Sequence, residues 1–196
     1  CVDFSSSITT IDERSFYGCS KLKQIKIPNS VTSIKSESFS NCSSLTKVSI
    51  PSSVTSIESN AFEECNNIKE VEYDPNKISL TSIITSASSL IISTNATSLN
   101  NLNLSEMPNI KEITIPMTIT TIGESSFCDC SNLKQISIPS SVTRIGNNAF
   151  KGCSSLEQIS LSSKIINIDD YAFSDCSSLK KILLPSTVKT IGNYAF

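Results

Sequence analysis

Apolar and polar positions alternate most clearly in the stretch that ends at Pro139. Ile136 and Ile138 point to one face, while Gln135 and Ser137 point to the other. Alternation with a period of two is typical of a strand that has one buried face. Pro139 ends this strand, because proline has no N–H to donate to a neighbouring strand. The pattern therefore predicts a short, half-buried strand.

A second apolar segment follows within the same unit. Residues 142–145 are rich in β-branched side chains and place Val142 and Ile145 inwards across a bend. A turn comes next, and Phe150 and Cys153 then stand three positions apart. That spacing suits one or two turns of α- or 3-10 helix. Each unit is thus expected to contain a strand, a short extended segment and a brief helical turn.

The unit recurs with a 23-residue period, and phenylalanine and cysteine show this most directly. The phenylalanines that keep the spacing are Phe16, Phe39 and Phe62, and then Phe127, Phe150, Phe173 and Phe196. The cysteines that keep it, here called the repeat cysteines, are Cys19, Cys42, Cys65, Cys130, Cys153 and Cys176. Fixed apolar positions at this period are typical of a solenoid, in which stacked copies bury a face that no single copy can bury. We therefore expect equivalent residues to lie over one another as ladders.

One repeat in the middle of the chain is short. Phe127 comes four positions earlier after Phe62 than three full repeats would place it. Ile92 likewise comes four positions earlier after Tyr73 than one full repeat would place it. The difference corresponds to roughly one helical turn. The sequence therefore predicts a shortened, irregular repeat near residues 74–92.

The next repeat, near residues 93–115, has the full length but a degenerate pattern. Leu104 stands at the phenylalanine position and Met107 at the cysteine position. Residues 1–196 are expected to form a single array of about eight repeats. Neither end shows the capping repeat that such arrays need. We therefore expect a fragment of a longer protein, with an exposed apolar end that favours end-to-end self-association.

The unit I-P-S-S-V-T-x-I-x-x-x-A-F-x-x-C-x-x-L closely resembles the repeats of the BspA-like leucine-rich repeat family. The resemblance covers nearly the whole chain and is strongest over residues 8–73 and 110–196. It implies a right-handed leucine-rich-repeat solenoid, β-dominated within the α/β class. In that fold a parallel sheet forms the concave side, and short extended segments with helical or 3-10 turns form the other.

The resemblance also implies a function. It suggests a cell-surface or secreted protein-protein interaction module that serves adhesion and binds host proteins or cells through its repeat surface. The implied partners are host extracellular matrix or cell-surface proteins, such as fibronectin and fibrinogen. The alternative is an intracellular scaffold or regulatory leucine-rich-repeat protein in the cytoplasm, because free thiols suit a reducing compartment.

The repeat cysteines allow two interpretations. Adjacent coils would bring equivalent Cα atoms to about 5 Å, which is within the range of a disulfide. Their Cβ vectors would lie side by side, however, and each group holds three cysteines, so pairing would leave one over. The pattern therefore favours a structural ladder of buried free thiols. Cys128 follows the inward-facing Phe127 and is expected to face outwards as the most reactive thiol.

The chain contains no histidine, and this excludes most catalytic sites. Ser-His and Cys-His dyads, zinc-protease motifs and haem histidines cannot be built. No Cys-x-x-Cys pair or glycine-rich phosphate loop occurs, so we expect no enzyme, no cofactor and no metal. The net charge of −2 does not indicate a nucleic-acid partner. No apolar stretch of about 18 residues is present to insert into a membrane.

The period places two rows of outward-facing residues on the concave side of the sheet, a surface that we call the strand face. It is polar, of mixed charge, and lacks Trp, Tyr and Arg, the usual residues of tight interfaces. This favours weak contacts that sum over many repeats, although a plain solvated face is the alternative. The candidate binding residues are Gln24, Lys26, Lys47, Glu70, Glu72, Ile91, Glu112, Gln135, Gln158, Lys181 and Leu183.

Three sequons for N-glycosylation occur in the chain. Asn41 immediately precedes a cysteine that is expected to be buried, so access there is poor. Asn95 and Asn103 lie near the irregular repeats and are the candidate glycosylation sites. Their use would require export from a eukaryotic cell.

Overall fold

The structure is a computed structural model that describes residue 4, residues 7–78 and 86–99, residues 102, 104 and 107, and residues 109–196. It is a solenoid of about seven coils built from two families of short parallel strands. The longer strands are β2 (Gln24–Lys26), β4 (Lys47–Ser49), β6 (Glu70–Tyr73), β7 (Ser89–Ile92), β8 (Glu112–Thr114), β10 (Gln135–Ser137) and β12 (Gln158–Ser160). The shorter strands are β1 (Thr10–Ile11), β3 (Ser33–Ile34), β5 (Ser56–Ile57), β9 (Thr121–Ile122), β11 (Arg144–Ile145), β13 (Asn167–Ile168) and β14 (Thr190–Ile191).

Strand pairing follows the sequence repeat. The longer strands form a five-stranded sheet in the order β2-β4-β6-β7-β8 and a two-stranded sheet β10-β12, and the shorter strands form β1-β3-β5 and β9-β11-β13-β14. Gln24 lies opposite Lys47, its equivalent in the next full repeat. Tyr73 lies opposite Ile92, its equivalent across the short repeat, so the shortening keeps the strands in register.

The core consists of ladders of equivalent apolar side chains. The ring centroids of Phe39 and Phe62 are 5.0 Å apart and those of Phe150 and Phe173 are 5.2 Å apart, with the rings nearly parallel. Leu104 is buried like Phe39 and Phe62, and so is Met107. Stacking of the coils thus buries large side chains that a single coil would leave exposed.

The brief helical turns predicted from the Phe-x-x-Cys spacing are not helices. Cys42 N–H donates to Phe39 O over 3.2 Å, but this bond is a single turn, and no helix occurs in the part of the chain that the structure describes. Glu37 and Asn41 have φ angles of 50° and 60°, in the left-handed region. A right-handed helix cannot continue through such residues.

Hydrogen bonds between coils take the place of the helical bonds. Phe39 N–H donates to Ala61 O over 2.8 Å, and Asn41 N–H donates to Glu63 O over 2.9 Å. The left-handed position after each phenylalanine recurs along the stack as Gly18, Asn41, Glu64, Asp129, Gly152 and Asp175. Left-handed and right-handed residues alternate here, and this turns every second N–H towards the next coil. The side of the solenoid that carries these turns, here called the turn side, is therefore also held by a ladder of backbone hydrogen bonds.

The sheet of long strands is interrupted at one point. β8 and β10 lie next to each other but belong to separate sheets, whereas β9 and β11 on the opposite side of the same coils are paired. The coils therefore stay together on the short-strand side and part on the long-strand side. This break brings Ile113 and Ile136 close to the strand face.

The repeat period places a further long strand near Leu184, in the position after β12. Residues 180–184 make no strand, and Leu183 is 72% exposed. The coil that contains them is joined to its neighbour through β13 and β14 instead.

Candidate functional site on the strand face

The long strands present their odd and even positions to opposite sides. In β2, Ile25 is buried while Gln24 and Lys26 on either side of it are exposed. The same alternation recurs in β10, where Ile136 is buried between Gln135 and Ser137. The buried side chains fix each strand on the core, so the polar side chains are held at set positions on the surface.

The register turns these polar side chains into two rows. The first row contains Gln24, Lys47, Glu70, Ser89 and Glu112, and the second contains Lys26, Ser49, Glu72, Ile91 and Thr114. Across the break, Gln135 lies opposite Gln158 and Ser137 opposite Ser160. Nine of the eleven predicted binding residues thus lie on strands of one surface. Lys181 and Leu183 lie outside any strand, because residues 180–184 form none.

Two contacts satisfy polar groups in the N-terminal half of this surface. Lys47 forms an ion pair with Glu70, which also accepts its hydrogen bond and so raises the pKa of Lys47. Ser49 Oγ donates to Glu72 Oε2 over 2.9 Å. Both contacts are open to water and are therefore weak.

A shallow groove lies where the sheet is interrupted. Glu112, Gln135 and Gln158 line it together with Ser137 and Ser160, and Ile113 and Ile136 form its floor. The two amides and two hydroxyls supply both donors and acceptors. Such a surface can hydrogen-bond to a polar ligand.

Strict alternation does not predict a third row of residues that borders this surface. The position immediately before each first-row residue is also exposed or half-buried, so the alternation does not extend to the residue that precedes the strand. Lys111 and Lys134 occupy it, and they line one groove together with Gln135 and Gln158. The repeat period is the signal in the sequence that could have revealed this row.

The repeat cysteines are free thiols in the structure. Cys42, Cys65, Cys130 and Cys153 are buried and Cys176 is half-buried. Cys19 is exposed, contrary to the predicted buried ladder, because it lies in the first coil of the described part of the chain, where its outer side is uncovered.

Cys128 is partly accessible, as expected from its place next to Phe127. Its thiol donates to Asp129 Oδ2 over 3.4 Å. Burial and the nearby Asp129 carboxylate raise the pKa of Cys128. Because the thiolate is the reactive form, this environment works against the enhanced reactivity that was predicted.

The candidate glycosylation sites lie near the irregular repeats, and one of the two is in the described part of the chain. Asn95 is exposed, and its side-chain amide donates to Ser52 Oγ over 3.1 Å. Asn103 lies outside the described residues. Asn41 is exposed although the cysteine after it is buried.

Metal sites and membrane spans are both absent from the described ranges. Within those ranges, no group of three His, Cys, Asp or Glu side chains is placed to hold a metal ion. Over the same part of the chain, no helix is long and apolar enough to cross a membrane.

Comparison with known proteins gives a family match and a set of related folds. The family described as BspA-type leucine-rich repeat region matches residues 1–105 and 97–196, and thus both halves of the chain. No curated protein matches the chain. Among solved structures, a leucine-rich repeat protein from Bacteroides ovatus is similar with 24% identity and a TM-score of 0.58, over 94% of this chain and 49% of that one.

Two animal structures share the fold at lower identity. A chain of the Toll–Spätzle complex of Drosophila is 14% identical, with a TM-score of 0.56, over 97% of this chain and 27% of that one. Human 5T4 is 10% identical, with a TM-score of 0.52, over 83% of this chain and 68% of that one. These likenesses show a leucine-rich-repeat solenoid. This chain spans about half the length of the Bacteroides ovatus protein.

Proposed function

Because this chain belongs to the family of BspA-type leucine-rich repeat proteins, we propose that it is an adhesive protein-interaction module that binds through the strand face. The proposal places it at the cell surface or in secreted form, with host matrix or cell-surface proteins as partners. The observation that carries it is the pair of solvent-facing rows held in register by the strands of the long-strand sheets.

The chemistry of this face favours many modest contacts. Its side chains are mostly amides, hydroxyls and single charges, and Ile91 is the large apolar residue among those on its strands. Tight interfaces usually rely on Trp, Tyr and Arg instead. Contacts that are weak in one repeat add up when several repeats engage one extended partner, or when many copies engage one surface.

Binding to immobilised fibronectin, fibrinogen and epithelial cells tests this proposal. The strand-face variant Gln135→Ala/Gln158→Ala removes two amides from the groove, and Asn29→Ala/Asn66→Ala removes two exposed amides outside it. We expect the first variant to reduce binding severalfold and the second to leave it unchanged. Absence of binding to all three targets, or equal effects of both variants, would contradict the proposal.

A role as an intracellular scaffold is the second candidate. The observation that favours it is the set of seven free cysteines among the described residues, four of them buried. A reducing compartment keeps such thiols free. Localisation of the native protein with an antibody, on intact and on permeabilised cells, separates the two. Staining that requires permeabilisation supports the scaffold and contradicts the adhesin.

A further inference from the structure

A row of lysines borders the strand face. The position just before the first-row residue of each coil holds lysine in five of eight coils, and we call these five lysines the lysine row. At the eight successive positions stand Lys23, Thr46, Lys69, Ser88, Lys111, Lys134, Glu157 and Lys180. All five lysines are exposed.

Backbone hydrogen bonds fix these positions in a line. Thr46 N–H donates to Lys23 O over 2.8 Å, Lys69 N–H to Thr46 O over 2.9 Å, and Ser88 N–H to Lys69 O over 2.9 Å. The line continues as Lys111 N–H donates to Ser88 O, also over 2.9 Å. With about 4.8 Å between paired strands, the four steps from Lys23 to Lys111 span roughly 19 Å. Beyond the break between β8 and β10, Glu157 N–H donates to Lys134 O over 2.9 Å.

The lysine row belongs to the same surface as the polar groups of the strand face. Lys111 and Lys134 line one groove together with Gln135 and Gln158. The carboxylates of Glu112 and Glu157 line the same groove. Lys180 lines a second groove, which also contains Gln158. A ligand held by the lysines would therefore lie within reach of the amides.

Positive charge is concentrated on this side of a chain whose net charge is −2. The first two rows and the lysine row, followed along the eight repeats, hold eight of the sixteen basic residues and four of the eighteen acidic ones. This side therefore carries +4 and the remainder of the chain −6. No member of the lysine row forms an ion pair with another described residue, whereas Lys47 and Lys35 each have a glutamate partner.

We propose that the lysine row binds a linear anionic polysaccharide, one that carries sulfate or carboxylate groups along its length. The inference rests on the proposed function only in using the same side of the molecule. The lysines form one line and are separated by multiples of the coil spacing. Such an arrangement can pair with the regularly spaced negative charges of a narrow chain. The amides of Gln135 and Gln158 supply hydrogen bonds to its hydroxyl groups.

Other polyanions fit this surface less well. Single-stranded nucleic acid is held by aromatic side chains and arginine, and the three rows contain neither at any position. A duplex or a membrane is broad, and it would meet Glu70, Glu72 and Glu112 beside the lysines. A narrow chain that follows the lysine row would meet fewer of these carboxylates than a broad surface would, although Glu112 and Glu157 line the groove of Lys111 and Lys134.

The test measures the binding of the 196-residue chain to heparin and to hyaluronan at 50 mM and 200 mM salt. The variant Lys69→Ser/Lys111→Ser/Lys134→Ser uses the residue that the array itself places at Ser88. The control Lys77→Ser/Lys164→Ser/Lys189→Ser removes the same charge from exposed lysines elsewhere. The variant Lys69→Arg/Lys111→Arg/Lys134→Arg should bind as well as the unaltered chain, because the charge is retained.

We expect the row variant to bind at least one of the two polysaccharides roughly tenfold or more weakly, and its salt dependence to fall by about one unit of slope per lysine removed. Preference for heparin assigns sulfate as the ligand group, and equal binding of hyaluronan assigns carboxylate. An equal loss in the control variant would overturn the proposal. So would binding of duplex DNA or phosphatidylserine vesicles as tight as that of both polysaccharides.

The two proposals can fail separately. If the chain binds neither polysaccharide but binds fibronectin or cells through Gln135 and Gln158, the proposed function stands and the lysine row has no such ligand. If the polysaccharide binds through the lysines while matrix proteins and cells do not bind, the proposed function fails and this inference stands.

Discussion

The thiol of Cys65 donates a hydrogen bond to the backbone carbonyl of Phe39 in the preceding coil, with sulfur and oxygen 3.0 Å apart. The same carbonyl accepts Cys42 N–H within its own coil over 3.2 Å. The link recurs from Cys153 to Phe127 over 3.1 Å. The cysteine ladder therefore satisfies the second acceptor site of carbonyls that lie beside the phenylalanine ladder.

Replacement of Cys65 by alanine should destabilise the chain by about 1–3 kcal/mol, because it removes a buried donor and leaves a small cavity. The matched control is Cys19→Ala, since Cys19 is exposed and its thiol has no such acceptor among the described residues. Urea unfolding followed by circular dichroism measures both. Equal stability of the two variants would show that the hydrogen bond and the packing of the Cys65 thiol do not stabilise the chain.

Alkylation should depend on pH in an order set by the surroundings of each thiol. Burial and the Asp129 carboxylate raise the pKa of Cys128, so its thiolate forms, and reacts, only at higher pH than an unperturbed cysteine. Asp129→Asn removes the carboxylate, lowers the pKa of Cys128 and should shift the rate profile to lower pH. Peptide mapping after timed treatment with iodoacetamide gives the profile.

The same experiment ranks the other thiols. Cys19 is exposed and should be labelled quickly, whereas Cys42, Cys65 and Cys153 should be labelled only as the chain unfolds. A disulfide between any two repeat cysteines, found in unreduced protein, would contradict the ladder of free thiols. An unchanged profile for Asp129→Asn would show that burial alone sets the pKa of Cys128.

Phe150 should contribute more to stability than Phe196. Phe150 is fully buried and its ring stacks between those of Phe127 and Phe173, whereas Phe196 is 53% exposed and stacks on one side. We expect Phe150→Ala to cost about 3–5 kcal/mol and Phe196→Ala well under half of that. Denaturant unfolding of the two variants provides the comparison, and similar losses would mean that stacking is uniform to the end of the chain.

Gly152 and Gly18 both occupy the left-handed position, but they differ in whether a side chain would also meet a neighbouring atom. Their φ angles are 73° and 68°. An added Cβ would overlap Asp129 Oδ1 at Gly152 and would meet nothing at Gly18. Gly18→Ala should therefore cost only the backbone strain of about 1–2 kcal/mol, and Gly152→Ala should cost more.

Removal of the Asp129 side chain provides the control for this difference. In the background Asp129→Ala, the cost of Gly152→Ala should fall to that of Gly18→Ala, because only the backbone strain is left. Differential scanning calorimetry of the four variants measures the costs. A Gly152→Ala penalty that stays the same without Asp129 would place its origin in the backbone alone.

The register of the sheets could be predicted from the sequence, and the path of the turns could not. Gln24 opposite Lys47 and Tyr73 opposite Ile92 follow from the period, because stacked repeats pair equivalent residues. The spacing of Phe39 and Cys42 fits a helical turn and a single bent turn equally well. The left-handed residue between them is glycine, asparagine, glutamate or aspartate in different coils, so no residue type marked it.

The candidate surface was only partly predictable for a similar reason. Alternation identified Gln135 and Gln158 as outward-facing, but it assigned no side to Lys134, which precedes the strand. Lys134 and Gln135 are both exposed, so the alternation ends where the strand begins, and that point depends on how neighbouring coils pack. The separation of β8 from β10 is likewise a property of the stack, since each strand has the normal sequence pattern.

The ladder on the turn side has a consequence for how the stack can be extended. Phe150 N–H donates to Ala172 O, and Phe173 N–H donates to Ala195 O, so the donors of each coil point towards the following coil. One end of the ladder therefore offers N–H groups and the other offers carbonyl groups. Two such ends can be joined only donor to acceptor, so a further coil or a second copy that prolongs the ladder must have the same orientation as the first.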